Sequence, residues 1–91
     1  DAIWMGDFNM LPGSPEYRRI VAGGFVDAAV AAGYAADAFC THERMFEGRL
    51  QRRRLDYCFV TEPLASKVRA SSVDADNLAS DHFPVRTEID L

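Results

Sequence analysis

The chain has 91 residues, of which 48% are hydrophobic and 26% are charged, and its net charge is −4. A chain of this length forms at most one small domain, and its composition is that of a globular protein and not of a disordered tail. The negative charge argues against a general nucleic-acid coat protein, because such proteins need many lysines and arginines. No apolar run approaches the roughly 18 residues of a membrane span and no secretory signal pattern is present, so we expect a soluble protein, with the cytoplasm favoured.

Seven segments carry the composition or periodicity of a regular element. In chain order they are a strand over residues 2–8, helices over 15–22 and 26–32, and strands over 37–43, 55–61, 67–73 and 83–91. The first strand is a nearly continuous apolar run, which predicts that it is covered on both faces. Ser14 and Pro15 are residues that begin helices, and the second helix is predicted from its alanines and from Gly33 at its end. These elements predict a mixed α/β domain.

Arginine is concentrated in one stretch of the chain. Five of the nine arginines fall within residues 44–54. Such a stretch could bind phosphate groups, since the guanidinium group suits phosphate geometry. It could equally be a solvated strand edge whose arginines form ion pairs with Glu43 and Glu47. Both interpretations stay open on the sequence alone.

Two polar residues follow the first apolar run, in the sequence GDFN. If the strand continued through them, Asp7 and Asn9 would point to the same side while Phe8 pointed into the core. A carboxylate and a carboxamide projecting together could activate a water and stabilise an oxyanion, or could bind a hard cation such as Mg²⁺. The alternative is an Asx turn, in which the two side chains only cap the loop backbone.

Acidic residues and a histidine also lie at or near the ends of two later strands. Asp56 lies within the apolar sequence LDYCFV and must have a partner there, either an arginine that serves the structure or a histidine that serves catalysis. Asp81 and His82 are adjacent in SDHFPV, directly before the last strand. Neighbouring residues in a turn can converge on one site, although an isolated SDH is weak evidence for one.

The order of these motifs resembles a known family. GDFN followed by a P-x-S-x-x-Y turn and helix, then RLDY leading a strand, and then SDHFPV leading the last strand are similar to the C-terminal half of the endonuclease/exonuclease/phosphatase superfamily. These proteins are deoxyribonuclease-I-like, metal-dependent phosphoesterases. The resemblance implies part of a four-layer α/β sandwich with a mixed β-sheet and short helices. It also implies a metal-dependent hydrolase of phosphoester bonds, of phosphodiesterase or nuclease type.

The same resemblance implies a role for each motif residue. Asp7 would orient or deprotonate the attacking water, and Asn9 would hold a phosphate oxygen. Asp56 would be the carboxylate partner of the catalytic His82, which would also contact the substrate. Asp81 would lie at the metal and water site. The implied catalytic residues are thus Asp7, Asn9, Asp56 and His82, and the implied ligands of Mg²⁺, for which Mn²⁺ is a possible substitute, are Asp7, Asn9 and Asp81.

The resemblance covers only half of the family's domain. It implies that residues 1–91 are the C-terminal portion, while the principal metal-binding Glu and further phosphate contacts lie in an N-terminal half that this sequence does not contain. We therefore expect the isolated chain to hydrolyse phosphoesters weakly or not at all. The substrate would be a nucleic acid, an inositol phosphate or a phospholipid headgroup, because the arginine-rich stretch suits any polyanion.

Two other interpretations of the sequence remain open, a zinc site and a half-domain without activity. Cys40, His42, Cys58 and His82 are residue types that bind zinc, although their spacing is weak, both cysteines look like buried apolar thiols, and His42 is expected in a solvent-facing loop. Alternatively, the chain is a non-catalytic fragment or dimerising half-domain with no activity alone. Such a module would self-associate through an exposed apolar sheet face.

Overall fold

The computed structural model describes residues 1–76 and 80–91 of the chain, and within them it has seven strands and three short helices. The elements in chain order are β1 (Ile3–Asp7), α1 (Pro15–Ala22), β2 (Phe25–Asp27), α2 (Ala28–Ala31), β3 (His42–Phe46), β4 (Arg49–Arg53), β5 (Asp56–Thr61), α3 (Glu62–Ala65), β6 (Val68–Val73) and β7 (Val85–Ile89). No helix in these ranges is long and apolar enough to cross a membrane.

The centre of the molecule is β5, which lies between β1 and β2 in a three-stranded sheet. Both neighbours run antiparallel to β5, and the register sets Asp7 at the end of β1 opposite Asp56 at the start of β5. The other described strands form two antiparallel pairs, β3 with β4 and β6 with β7. The structure is therefore α/β with short helices, as expected, but its described strand pairs are all antiparallel and do not form the mixed sheet that was predicted.

The core lies on both faces of β5, because successive side chains of a strand point in opposite directions. Tyr57 and Phe59 lie on one face, where they pack with Met10 and with residues of α1 and β2. Cys58 and Val60 lie on the other face, where they pack with residues of α2, α3, β6 and β7. All four of these β5 side chains are buried, as the aromatic and β-branched composition of this strand predicted.

A buried ion pair joins Asp27, at the end of β2, to Arg54, in the link between β4 and β5. Both terminal nitrogens of Arg54 donate to the carboxylate of Asp27, at 2.6 and 2.8 Å, and the Tyr17 hydroxyl donates to the same carboxylate at 2.9 Å. The Arg54 guanidinium also lies over the ring of Tyr57, 4.2 Å from its centre. Burial, and then the nearby Asp27 carboxylate, raise the pKa of Tyr17 to about 12. Arg54 is thus a structural residue and is not available to an external phosphate.

The structure confirms some predicted elements and corrects others. The first helix has the predicted bounds, and the Ser14 side chain caps it by accepting from the backbone N–H of Tyr17. The helix predicted over 26–32 was wrong in its first part, because residues 25–27 pair with β5 and only Ala28–Ala31 are helical. The strand predicted over 37–43 begins only at His42, and it is the first strand of a hairpin with β4 that was not predicted.

The first strand exists as predicted, but its environment does not match. All five residues of β1 are exposed, and β1 is also an edge strand of its sheet. Ile3, Trp4 and Met5 are large apolar residues among them. The prediction that this strand is covered on both faces was therefore wrong for the described residues. An apolar edge of this kind is typical of a surface that pairs with another segment or another chain.

Candidate active site

The site forms where three separate segments of the chain meet. Antiparallel pairing sets the end of β1 beside the start of β5, so that Asp7 lies opposite Asp56. The third segment contains Asp81 and His82, and an antiparallel bridge joins His82 to His42 at the start of β3. Three of the predicted site residues, Asp7, Asp56 and His82, are thereby brought together from positions up to 75 residues apart along the chain.

Asp56 and His82 make the closest side-chain contact of the site. Oδ2 of Asp56 lies 2.8 Å from Nδ1 of His82. An ionised carboxylate can only accept a hydrogen bond, so Nδ1 carries a proton and donates it to Asp56. The other ring nitrogen, Nε2, lies 3.7 Å from Oδ2 of Asp7. Of the two partners considered for Asp56, the structure therefore has the histidine.

The charges around His82 favour its protonated form. The hydrogen bond to Asp56 raises the pKa of His82 above its ordinary value, and the negative charges of Asp56, Asp7 and Asp81 act in the same direction. Partial burial opposes them, but its effect is smaller than that of the hydrogen bond. The imidazolium therefore persists to a higher pH than in a free histidine. His82 is therefore a cationic hydrogen-bond donor in a site where carboxylates outnumber it, so an anionic ligand would also need a metal ion to offset their charge.

Asp7 both caps the loop and faces the site. Its Oδ1 accepts a hydrogen bond of 2.8 Å from the backbone N–H of Asn9, which is the predicted Asx turn. Its Oδ2 is the atom that lies near His82. The strand ends at Asp7, and Asn9 has a positive φ of 49°, so the alternation argument that placed both side chains on one side does not apply. Asn9 is exposed, and its predicted role stays a prediction.

Asp81 contacts a different histidine from the one beside it in sequence. Its Oδ2 lies 3.2 Å from Nε2 of His42, and the rings of His42 and His82 lie edge to face with their centres 4.7 Å apart. Although desolvation opposes the shift, the hydrogen bond with His42 lowers the pKa of Asp81, and the charge of His82 acts in the same direction. The prediction that His42 lies in a solvent-facing loop was wrong, because His42 is buried at the start of β3.

Thr41 holds two of the site segments together and was not predicted. Its buried Oγ1 accepts hydrogen bonds from the backbone N–H groups of Leu55 and Asp56, at 2.9 and 3.1 Å. Its carbonyl oxygen accepts a 2.7 Å hydrogen bond from the N–H of Phe83. One residue therefore fixes the start of β5 and the segment that carries His82. Nothing local in the sequence marks this threonine, because all of its partners are distant in the chain.

The donor atoms of the site fit a hard metal ion. Among the described residues, two groups offer ligand atoms within 4.8 Å of one another, and they are Asp7, Asp56 and His82 in the first and His42, Asp81 and His82 in the second. The half-exposed carboxylates of Asp7 and Asp81 could each bind Mg²⁺, which keeps several waters and needs only one or two protein carboxylates. Neither group includes a cysteine, so the zinc set considered from the sequence is not assembled in the described chain.

Asp56 should set the protonation of His82, and this can be measured without any substrate. In Asp56→Asn the negative charge is lost, so we expect the pKa of His82 to fall toward its ordinary value. The pKa of His82 should fall because Asp56 raises it in the unsubstituted protein. Without the negative charge of Asp56, the His82 ring therefore loses its proton at a lower pH. An NMR titration of the His82 ring in both proteins measures the change. An unchanged His82 pKa would contradict the contact.

The Asp56 carboxylate holds His82, and the carboxylates of Asp7 and Asp81 lie nearby, where three segments of the chain meet. This arrangement is suited to hydrolysis. The model of the Endonuclease/Exonuclease/phosphatase family matches residues 1–82 of the chain. The chain therefore belongs to this family, whose members are typically metal-dependent hydrolases, and the resemblance of its motifs is confirmed. Comparisons with curated proteins and with solved structures found no match.

Proposed function

We propose that this chain carries the catalytic groups of a metal-dependent phosphoester hydrolase of phosphodiesterase or nuclease type. The observation that supports the proposal best is the contact between Asp56 and His82, with Asp7 on the opposite side of the same imidazole. A phosphodiester is anionic, so its hydrolysis needs positive charge at the phosphate oxygens and a positioned water. The protonated imidazole of His82 supplies positive charge, and the neighbouring carboxylate of Asp7 positions the water.

In the proposed reaction, His82 contacts the phosphate and Asp7 activates the attacking water. Asp56 holds the His82 ring through Nδ1, so that the Nε2–H group can donate to a phosphate oxygen. Oδ2 of Asp7 orients a water and takes up its proton while the water oxygen forms a bond to phosphorus. The bond from phosphorus to the leaving oxygen breaks, and that oxygen takes a proton from solvent. The Asn9 amide would hold a second phosphate oxygen.

Asp7, Asn9 and Asp81 are the proposed ligands of Mg²⁺, with Mn²⁺ as a possible substitute. When bound, the ion would supply additional positive charge to stabilise the charge that develops on the phosphate oxygens. Asp7 and Asp81 fit this role because both carboxylates are half-exposed and each offers an oxygen within 4.8 Å of a His82 ring nitrogen. Oxygen donors are the ligands that these two ions prefer.

We further propose that the chain corresponds to the C-terminal part of a four-layer α/β sandwich, in which another segment supplies the principal metal-binding Glu. The exposed apolar residues of β1 support this proposal, since a second sheet would cover them. The substrate is proposed to be a nucleic acid, an inositol phosphate or a phospholipid headgroup. The exposed arginines of the β3–β4 hairpin, Arg44, Arg49 and Arg52, suit any of these polyanions.

The proposal is tested with bis(4-nitrophenyl) phosphate as a generic phosphodiester. The assay is run on the 91-residue chain and on the product of the complete reading frame that encodes it. We expect the reading-frame product to hydrolyse the ester only when Mg²⁺ or Mn²⁺ is present, with loss of turnover after chelation. The 91-residue chain should be slower by at least about tenfold, because loss of even an outer-shell partner of a metal ligand typically costs about 10–100-fold. Hydrolysis that is indifferent to chelation would contradict the proposal.

The second candidate is a half-domain without activity that associates with itself or with another segment. The exposed Ile3, Trp4 and Met5 on an edge strand favour it specifically, because such an edge can pair with another strand. The same assay separates the two candidates. If the complete reading-frame product shows no metal-dependent hydrolysis, the catalytic proposal fails and the half-domain candidate remains.

A further inference from the structure

The side chain of Asp81 needs an anchor if its carboxylate is to act in one orientation. It is 58% exposed and belongs to a segment outside the helices and strands. Its Oδ1 lies 3.4 Å from the Ser80 hydroxyl, which is a long contact, whereas its Oδ2 lies 3.2 Å from Nε2 of His42. Of these two side-chain contacts, the one with His42 is the shorter.

His42 is itself held firmly in place. Its side chain is only 6% exposed, and it is the first residue of β3. Two backbone hydrogen bonds join its strand to the segment that carries Asp81, from Glu43 N–H to the Asp81 carbonyl at 3.0 Å and from Phe83 N–H to the Thr41 carbonyl at 2.7 Å. A buried side chain on paired backbone has little freedom to move. His42 is therefore a rigid support for an exposed carboxylate.

The contact between Arg53 and the second ring nitrogen of His42, Nδ1, determines which ring nitrogen carries the proton. Nδ1 lies 3.4 Å from Nη2 of Arg53, at the long end of a hydrogen bond. A guanidinium group can only donate, so in a neutral ring this contact favours an accepting Nδ1 and a proton on Nε2. That proton points to Oδ2 of Asp81, which can only accept. The three residues thus form a directed chain from Arg53 through His42 to Asp81.

We infer that His42 is a positioning residue for Asp81, held in its Nε2–H tautomer by Arg53. The inference rests on the proposed function for its catalytic consequence and on the structure for its geometry. None of the three motifs that carry the family resemblance contains His42. His42 acts through Asp81 and not on the substrate, so its removal would release the carboxylate without removing any reacting group. Loss of such a supporting hydrogen bond typically costs about 10–100-fold in activity or metal affinity.

The kinetic test compares two substitutions in the complete reading-frame product. His42→Phe keeps a ring but cannot donate, and we expect it to lower kcat/KM for bis(4-nitrophenyl) phosphate by about 10–100-fold. His42→Gln keeps an N–H donor and should recover most of that loss. In an Asp81→Asn background, His42→Phe should cost less than about twofold, because residues that act through one another are not additive. An undiminished loss in that background would overturn the inference.

A second readout requires neither substrate nor metal. In the metal-free 91-residue chain, ¹⁵N NMR at about pH 8, where histidine is normally neutral, should show the Nε2–H tautomer for His42. In Arg53→Met the ring loses its Nδ1 donor, and a mixture of tautomers is expected. A dominant Nδ1–H tautomer in the unsubstituted chain would overturn the inference. If hydrolysis is absent but the tautomer is as expected, the proposed function fails while the positioning of Asp81 by His42 stands.

Discussion

Replacing His82 with alanine should lower kcat for phosphodiester hydrolysis by about 10²–10³-fold, the usual contribution of one positioned donor that stabilises charge developing on the reacting group. The size of the effect follows from the position of the ring. His82 is held by Asp56 at 2.8 Å and faces Asp7 at 3.7 Å, so its removal takes away the positive charge and leaves the carboxylates to repel an anionic ester. Steady-state kinetics on bis(4-nitrophenyl) phosphate with Mg²⁺ measures the loss.

A matched control separates this effect from damage to the fold. Arg86→Ala also removes a cationic side chain, but from the exposed side of β7, where Arg86 pairs with the exposed Glu88. Exposed ion pairs contribute little, so this variant should keep kcat within about twofold. Circular dichroism should show both variants folded. If folded His82→Ala retained the activity of the control, His82 would not be catalytic.

Replacing Arg54 with methionine should destabilise the protein by about 3–5 kcal/mol, which is a large part of the roughly 5–15 kcal/mol that holds a typical domain together. The side chains of Arg54 and Asp27 are 4% and 2% exposed. Removal of the guanidinium leaves the Asp27 carboxylate buried with the Tyr17 hydroxyl but without its counter-charge. Equilibrium unfolding in urea measures the free energy of unfolding.

The neighbouring arginine provides the control for this prediction. Arg52 also pairs with a carboxylate, that of Glu43 at 2.9 Å, but its side chain is exposed. Arg52→Met should therefore change the free energy of unfolding by less than about 1 kcal/mol. The double variant Asp27→Leu with Arg54→Met should be more stable than Arg54→Met alone, because no uncompensated charge remains. Equal, small effects for Arg54→Met and Arg52→Met would show that the buried ion pair is not important.

Elements with strong local signals were predictable from the sequence. The first helix has a capping serine, a proline and a terminating glycine within its own segment, and the structure has it with the predicted bounds. Residues 26 and 27, which lie in β2, were assigned to a helix because the following alanines favour one. Their strand conformation depends on pairing with β5, and Asp27 is fixed by Arg54, which lies 27 residues away in sequence. A local pattern does not contain that information.

The candidate site shows the same division between local and distant causes. The order of three motifs was enough to bring Asp7, Asp56 and His82 together as an expectation, and the described geometry agrees with it. The place of His42 was missed because it depends on a bridge to His82 and a contact with Asp81, 39 residues further along the chain. The side assigned to Asn9 depended on strand alternation, which ends two residues earlier.

The most direct test of the account is a double-mutant cycle in the complete reading-frame product. The kcat/KM for bis(4-nitrophenyl) phosphate with Mg²⁺ is measured for the unsubstituted protein, Asp56→Asn, His82→Ala and the double variant. If Asp56 acts by holding His82 at one phosphoester site, the double variant should be no slower than His82→Ala within about twofold. If the kcat/KM losses of the two single variants multiplied in the double variant, Asp56 would not act through His82. No loss of kcat/KM in either single variant would contradict catalysis at this site.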